Sequence, residues 1–191
     1  MDDRGTAGGR RQPLSIEFTT TASARRDDPP TEHLHRTVDL ARWIVAIGLS
    51  DEPPPVDEAL LASARDLRET IYRAVRRRVD GDAPRAEDRR RLNDWAASST
   101  AARVLDHDAV ARWEVSALSP ARSALGVVAA DAIEVLGGAR DGALKVCAGE
   151  RCAAVFLDTS RGGTRRWCSM STCGNRAKKS AMRARGPASG T

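Results

Sequence analysis

The sequence predicts a mainly α-helical protein: a helical N-terminal domain carrying a short β-hairpin, then a small C-terminal module made of a second β-hairpin and a helix. Three observations predict it. Apolar residues recur at three- and four-residue steps along several stretches between residues 37 and 137, with capping or breaking residues at their ends. All four cysteines fall between positions 147 and 173, in two close pairs. Charge divides in the same region. Residues 144–191 hold ten Lys or Arg against two acids, although the net charge of the whole chain is only +5, so the remainder is slightly acidic.

The elements follow in order. Residues 1–13 are rich in glycine and charge and read as a disordered tail. Leu14, Ile16 and Phe18 alternate, which reads as a short strand; a first helical turn is the alternative. Residues 22–35 read as a polar loop through Pro29 and Pro30. A helix is expected over about 37–48, with Val38, Ala41 and Val45 on one stripe, Leu40, Ile44 and Ile47 beside it, and Gly48 as its stop. Pro53, Pro54 and Pro55 exclude helix and mark a linker. The longest helix spans about 57–79 on Leu60, Ala64, Leu67, Ile71 and Val75. Its other face carries Arg65, Arg68, Arg73, Arg76 and Arg77. Pro84 opens a helix to about 98, with Leu92 and Trp95 inward. Val104, Trp113, Val115 and Ala117 predict a hairpin bending near Asp106-His107-Asp108. Ser119 as N-cap and Pro120 in the first turn start a helix that Gly137-Gly138 ends. Residues 14–140 thus form one helical domain.

Several functions are excluded or disfavoured. No apolar run is long enough to span a membrane, and the N-terminus lacks the apolar segment of an export signal, so a cytoplasmic protein is expected. In a reducing compartment, paired cysteines bind metal rather than form disulfides. His33 and His35 read as surface residues. His107 sits beside two aspartates but has no marked nucleophile. The chain has no Gly-rich phosphate loop, HExxH or GxSxG, and is not expected to be an enzyme.

The metal reading rests on spacing. Cys147-x4-Cys152-x15-Cys168-x4-Cys173 gives two turns whose thiolates converge, filling a tetrahedral shell around one structural Zn(2+) per chain. Ala154–Leu157 reads as one strand, 158–163 as a turn, and Arg165-Arg166-Trp167 as the return strand. Phe156 and Trp167 would pack over the cluster; base stacking is a competing role for Trp167. So small a module folds only with the metal's help. Beyond Cys173 a helix is expected, with Arg176, Lys179 and Arg183 on one face and Ala177, Ala181 and Ala184 on another. Residues 161–185 hold eight bases and no acid: Arg161, Arg165, Arg166, Arg176, Lys178, Lys179, Arg183 and Arg185. That pattern, on a zinc-anchored hairpin and helix, predicts a nucleic-acid-binding unit. Arg176 would either read a base or, with Asn175, support the zinc turn. The module runs over 144–185, and 186–191 reads as a second disordered tail.

The stretch from Cys147 to Arg185 closely resembles the CGNR zinc finger. The namesake tetrapeptide stands at Cys173-Gly174-Asn175-Arg176, with further matches at Phe156-Leu157-Asp158, Ser160-Arg161, Arg165 to Met170, and Ala177-Lys178. The preceding region resembles, more diffusely, the helical stress-related domain found before this finger in bacterial transcriptional regulators. Its matching points are Leu14 to Thr21, Leu40–Trp43, Leu49 and Ser119-Pro120. Taken with the basic pattern, the resemblance implies a zinc-dependent regulator that has double-stranded DNA as its partner and whose helical domain senses a small-molecule effector or assembles a homodimer. The alternative is a zinc-scaffolded protein- or RNA-binding module without sequence-specific DNA recognition. One departure is visible: Glu17 and Thr20 stand where the family motif LALDFVNT has Asp and Asn.

Overall fold

The computed structural model describes residues 12–184. Most of both predicted tails, and Arg185, lie outside the described residues. Helix α1 (Leu14–Thr19) is followed by a two-residue ladder, β1 (Ala22–Ser23) and β2 (Thr31–Glu32), and then by α2 (Thr37–Ala46), α3 (Glu58–Val79) and α4 (Ala86–Ala97). The hairpin β3 (Ala102–Leu105) and β4 (Ala111–Glu114) precedes α5 (Pro120–Gly137). Then come β5 (Ala143–Val146), β6 (Val155–Asp158), one π-helical turn (Met170–Gly174) and α6 (Asn175–Ala184). All three ladders are antiparallel pairs.

Residues 14–18 form a helix rather than a strand. The apolar alternation suits either form, but Ser15, Ile16, Phe18 and Thr19 are all buried, which the two faces of an isolated strand would not allow. A distant side chain secures the helix start: Asp131 Oδ2 accepts from both the amide (2.8 Å) and the hydroxyl (2.7 Å) of Ser15. The segment read as a polar loop carries the β1–β2 ladder.

The core is built on α3 and α5. Asp57 caps α3 by accepting from Leu60 N at 2.7 Å, and Arg76, Arg77 and Arg78 complement the dipole at its far end. Leu61, Ala64, Leu67, Ile71 and Val75 face the core. Most of α5 is buried, and it ends at Gly138 with φ +78°, a conformation that suits glycine. In α2 the buried stripe is Leu40, Ala41 and Ile44, displaced from the one predicted through Val38 and Val45. Helices α4 and α5 approach closely at Gly126. A Cβ there would lie 2.6 Å from Ser99 Cβ and 2.8 Å from the Trp95 carbonyl oxygen. Gly126→Ala is therefore expected to cost about 1–3 kcal/mol. A lower urea midpoint at unchanged slope would show this; an unchanged midpoint would show that the helices separate without cost.

Arg68, read from sequence as part of the arginine-rich face opposite the apolar stripe, is buried, with 4% exposure. It pairs with Glu32 at 2.7 Å and Glu69 at 2.8 Å; Glu69 in turn pairs with Arg25 at 2.8 Å. Arg25 lies over the Tyr72 ring, 3.9 Å from its centroid. Burial opposes ionisation of Glu32, but Arg68 and the amides of Leu34 and His33 outweigh it and hold the carboxyl at about 2. A depressed folded-state value means that the stabilisation is complete above the ordinary value of 4.5 and is lost as pH falls from there through about 2. Glu32→Gln should flatten the stability profile across that window in acid titrations followed by circular dichroism. An unchanged profile would contradict the pairing.

Candidate metal centre

The zinc module begins before its first cysteine. Strand β5 pairs with β6, placing Leu144 opposite Leu157 and Val146 opposite Val155. This corrects the predicted hairpin: residues 165–167 are not the partner strand. Leu144 and Val146 alternate toward the body, Val155 joins the main core, and Tyr72 donates to the Ala153 carbonyl at 3.0 Å. The backbone amide of Arg25 donates to the Cys152 carbonyl at 3.1 Å, and the Arg26 guanidinium donates to the Gly149 carbonyl. Arg151 pairs with Asp27, with Nε 2.9 Å from Oδ2. The finger is thus sewn to the helical body by its first cysteine turn.

That turn runs from Cys147 to Cys152 and closes the β5–β6 hairpin. Cys147 N donates to the Ala154 carbonyl at 2.8 Å, extending the ladder, and Cys152 N donates to the Gly149 carbonyl at 3.1 Å. Gly149 leaves room for the sulfurs: a Cβ there would lie 3.4 Å from Cys173 Sγ and 3.5 Å from Cys147 Sγ. The second cysteine turn is placed by Asp158, which is buried at the end of β6. Its Oδ2 accepts from Lys145 Nζ at 2.7 Å and Arg165 N at 3.0 Å; its Oδ1 accepts from the Ser160 hydroxyl at 2.6 Å and amide at 3.0 Å. Lys145, with the Ser160 and Arg165 donors, holds Asp158 well below the usual carboxylate range. This carboxylate shapes the 158–165 loop in place of a ladder. The Arg166 carbonyl then accepts from Ala148 N at 2.9 Å, laying the returning chain beside the first turn.

The four sulfurs of Cys147, Cys152, Cys168 and Cys173 all lie within 4.8 Å of one another. Cys152 to Cys168 is 3.7 Å, and Cys168 to Cys173 is 3.8 Å. A tetrahedron with zinc–sulfur bonds of about 2.3 Å has edges of about 3.8 Å, which these two separations match, and the remaining pairs lie close enough for all four sulfurs to share one ion. Amides of Gly149 and Cys168 each approach Cys147 Sγ at 3.4 Å, as donors to a thiolate do. Among the thiols themselves, the hydrogen bond with Cys168 lowers Cys152 to about 5. Cys168 is pushed up by that hydrogen bond and by burial, and Cys173 is pushed up to about 11 by burial and by Cys152. One thiolate thus suppresses ionisation of Cys168 and Cys173, so a fully ionised cluster at this spacing needs a cation among the sulfurs. Four thiolates complete the shell, so the ion supports structure and activates no water. No other group of three or more His, Cys, Asp or Glu among the described residues is placed to hold a metal. His107 is exposed beside Asp108, and His33 bonds Ser23 at 2.7 Å.

The other predicted positions separate into two groups. Phe156 is buried against Cys147 and Cys173, with Trp167 packed at the edge of the same cluster. Arg165 faces inward: it lies over Phe156 and donates to the carbonyls of Trp167 (2.9 Å) and Cys168. Asn175 donates to the Ser171 carbonyl at 3.1 Å, bracing the π-helical turn rather than a sulfur. Ser169 caps that turn by accepting from Thr172 N at 3.2 Å. Arg161, Arg166, Arg176, Lys178, Lys179 and Arg183 are exposed. Arg176 lines a cleft of about 370 Å³ between α6 and the first cysteine turn, with Ala177, Ser180 and Ala181. Ala177 and Ala181 thus face the first cysteine turn across an open cleft. Lys145 and the organising role of Asp158 were not read from sequence. The available signal was a lone acid inside an apolar strand of a strongly basic segment.

No described helix is long and apolar enough to cross a membrane. No curated protein matches the chain. Residues 143–186 match the family described as CGNR zinc finger. Residues 12–139 match the family described as ABATE, "Putative stress-induced transcription regulator". With that match covering more than half of its length, the chain belongs to the ABATE stress-regulator family and carries a CGNR zinc finger as its C-terminal module.

Proposed function

We propose that the chain is a zinc-dependent, DNA-binding transcriptional regulator. In this reading the finger contacts double-stranded DNA through α6, and the helical body senses or assembles. The observation that carries it is the setting of α6. This helix packs mainly on the π-helical turn that precedes it. Every side chain from Lys178 to Arg183 is exposed. Arg176, Lys178, Lys179 and Arg183 have no acidic partner among the described residues. A row of unpaired cations on a rigid mount suits a phosphate backbone. Arg165 takes the task of bonding the zinc turn, which leaves the Arg176 guanidinium for base reading. Arg161 and Arg166, in the segment between β6 and Cys168, serve as positioning contacts to phosphate.

The test is fluorescence anisotropy of labelled duplexes with the zinc-loaded full chain, across a range of salt. Lys179→Ala should weaken every duplex alike and reduce the salt slope by about 1. Arg176→Ala should cost about 1–3 kcal/mol more on a preferred duplex than on random DNA. Failure to bind any duplex at low salt would contradict the proposal and leave the zinc site as a scaffold for a protein or RNA partner.

A further inference from the structure

A cleft of about 780 Å³ opens where the helical body, the β3–β4 hairpin and the zinc module meet. This volume suits a small organic molecule. Leu14, Val127 and Leu157 form an apolar wall, and Trp113 stands beside them. Two guanidinium groups reach the cleft, and they differ. Arg140 is neutralised within the chain: it lies 2.7 Å from both Asp131 and Glu134. Asp131 is further saturated by the amide and hydroxyl of Ser15. Arg103 is exposed and stands directly across the ladder from Trp113, its guanidinium carbon 5.0 Å from the ring centroid. It has no carboxylate partner among the described residues. The tryptophan holds this guanidinium in place while its N–H fork stays unused. The remaining acid of the cleft, Asp141, is exposed to solvent.

We infer that this cleft binds a small aromatic carboxylate. The ring sits on the apolar wall beside Trp113, and the carboxylate takes the planar fork of Arg103, which matches its two oxygens. The site is independent of whether α6 reads DNA. Its placement also gives it a route to the finger. Leu157 and Thr159 line the cleft and flank Asp158, whose carboxylate shapes the loop leading to Cys168.

The test is calorimetric titration of the zinc-loaded full chain with three probes of one shape: 2-naphthoate, 2-naphthamide and 2-naphthylmethylamine. The carboxylate should bind at least about tenfold more tightly than the amide or the amine. Arg103→Gln should remove that preference at unchanged melting temperature, since the side chain is exposed. Arg122→Gln, at another arginine stacked on a tryptophan, should keep it. Three results would overturn the assignment: no saturable binding of naphthoate, equal binding of the three probes, or a preference that survives Arg103→Gln. The last would mean that the anion is held elsewhere, as on the basic finger.

Discussion

Replacing Cys173 by serine is expected to release the second half of the finger while the β5–β6 hairpin stays docked. Structural zinc contributes on the order of 10 kcal/mol to the folding of a small module, and little else holds residues 159–184. Their buried or half-buried groups are Trp167, Cys168, Cys173 and a few neighbours at the cluster, and α6 rests mainly on the π-helical turn. The first half differs, because Val155 lies in the main core and Tyr72, Arg25 and Arg26 bond the first cysteine turn. Limited trypsin digestion of Cys173→Ser should therefore cut rapidly at Arg161, Arg165 and Arg166 and leave a resistant fragment that retains β6. Equal loss of both strands would contradict the division. So would a digestion pattern identical to that of the parent chain.

Arg68→Ala should lower global stability by about 3 kcal/mol, at the lower end of the 3–5 expected when one member of a buried ion pair is removed. Glu32 would keep only the amides of His33 and Leu34, with Arg65 Nε at 4.0 Å; Glu69 would keep Arg25. Adding Glu32→Ala should cost less in the Arg68→Ala background than in the parent, because the unpaired charge is then gone. Urea denaturation of the four proteins gives the coupling directly. Strictly additive losses would mean that Arg68 contributes packing alone.

The helices were legible because their apolar stripes and end signals are local: the stripe from Leu60 to Val75 in α3, Pro120 opening α5, Gly138 closing it. The cysteine cluster was legible because ligand spacing constrains a chain independently of its fold. What escaped depends on distant partners. The helical state of residues 14–19 draws on Asp131, more than a hundred positions away. The partner of β6 lies upstream of Cys147, where Leu144 and Val146 face a body that local pattern does not reveal. Arg68 and Arg165 look like surface cations in a basic sequence. They become structural only where Glu32 and Glu69, or the carbonyls of the zinc turn, come to meet them.

The placement of α6, and with it the proposed DNA-contacting surface, depends on four sulfurs sharing one ion. X-ray absorption at the zinc edge of the purified full chain, with elemental analysis of the same sample, tests this most directly. The prediction is one zinc per chain with four sulfur neighbours at about 2.3 Å and no nitrogen or oxygen in the shell. Freshly reduced protein without metal, or a shell containing a nitrogen or oxygen ligand, would contradict it.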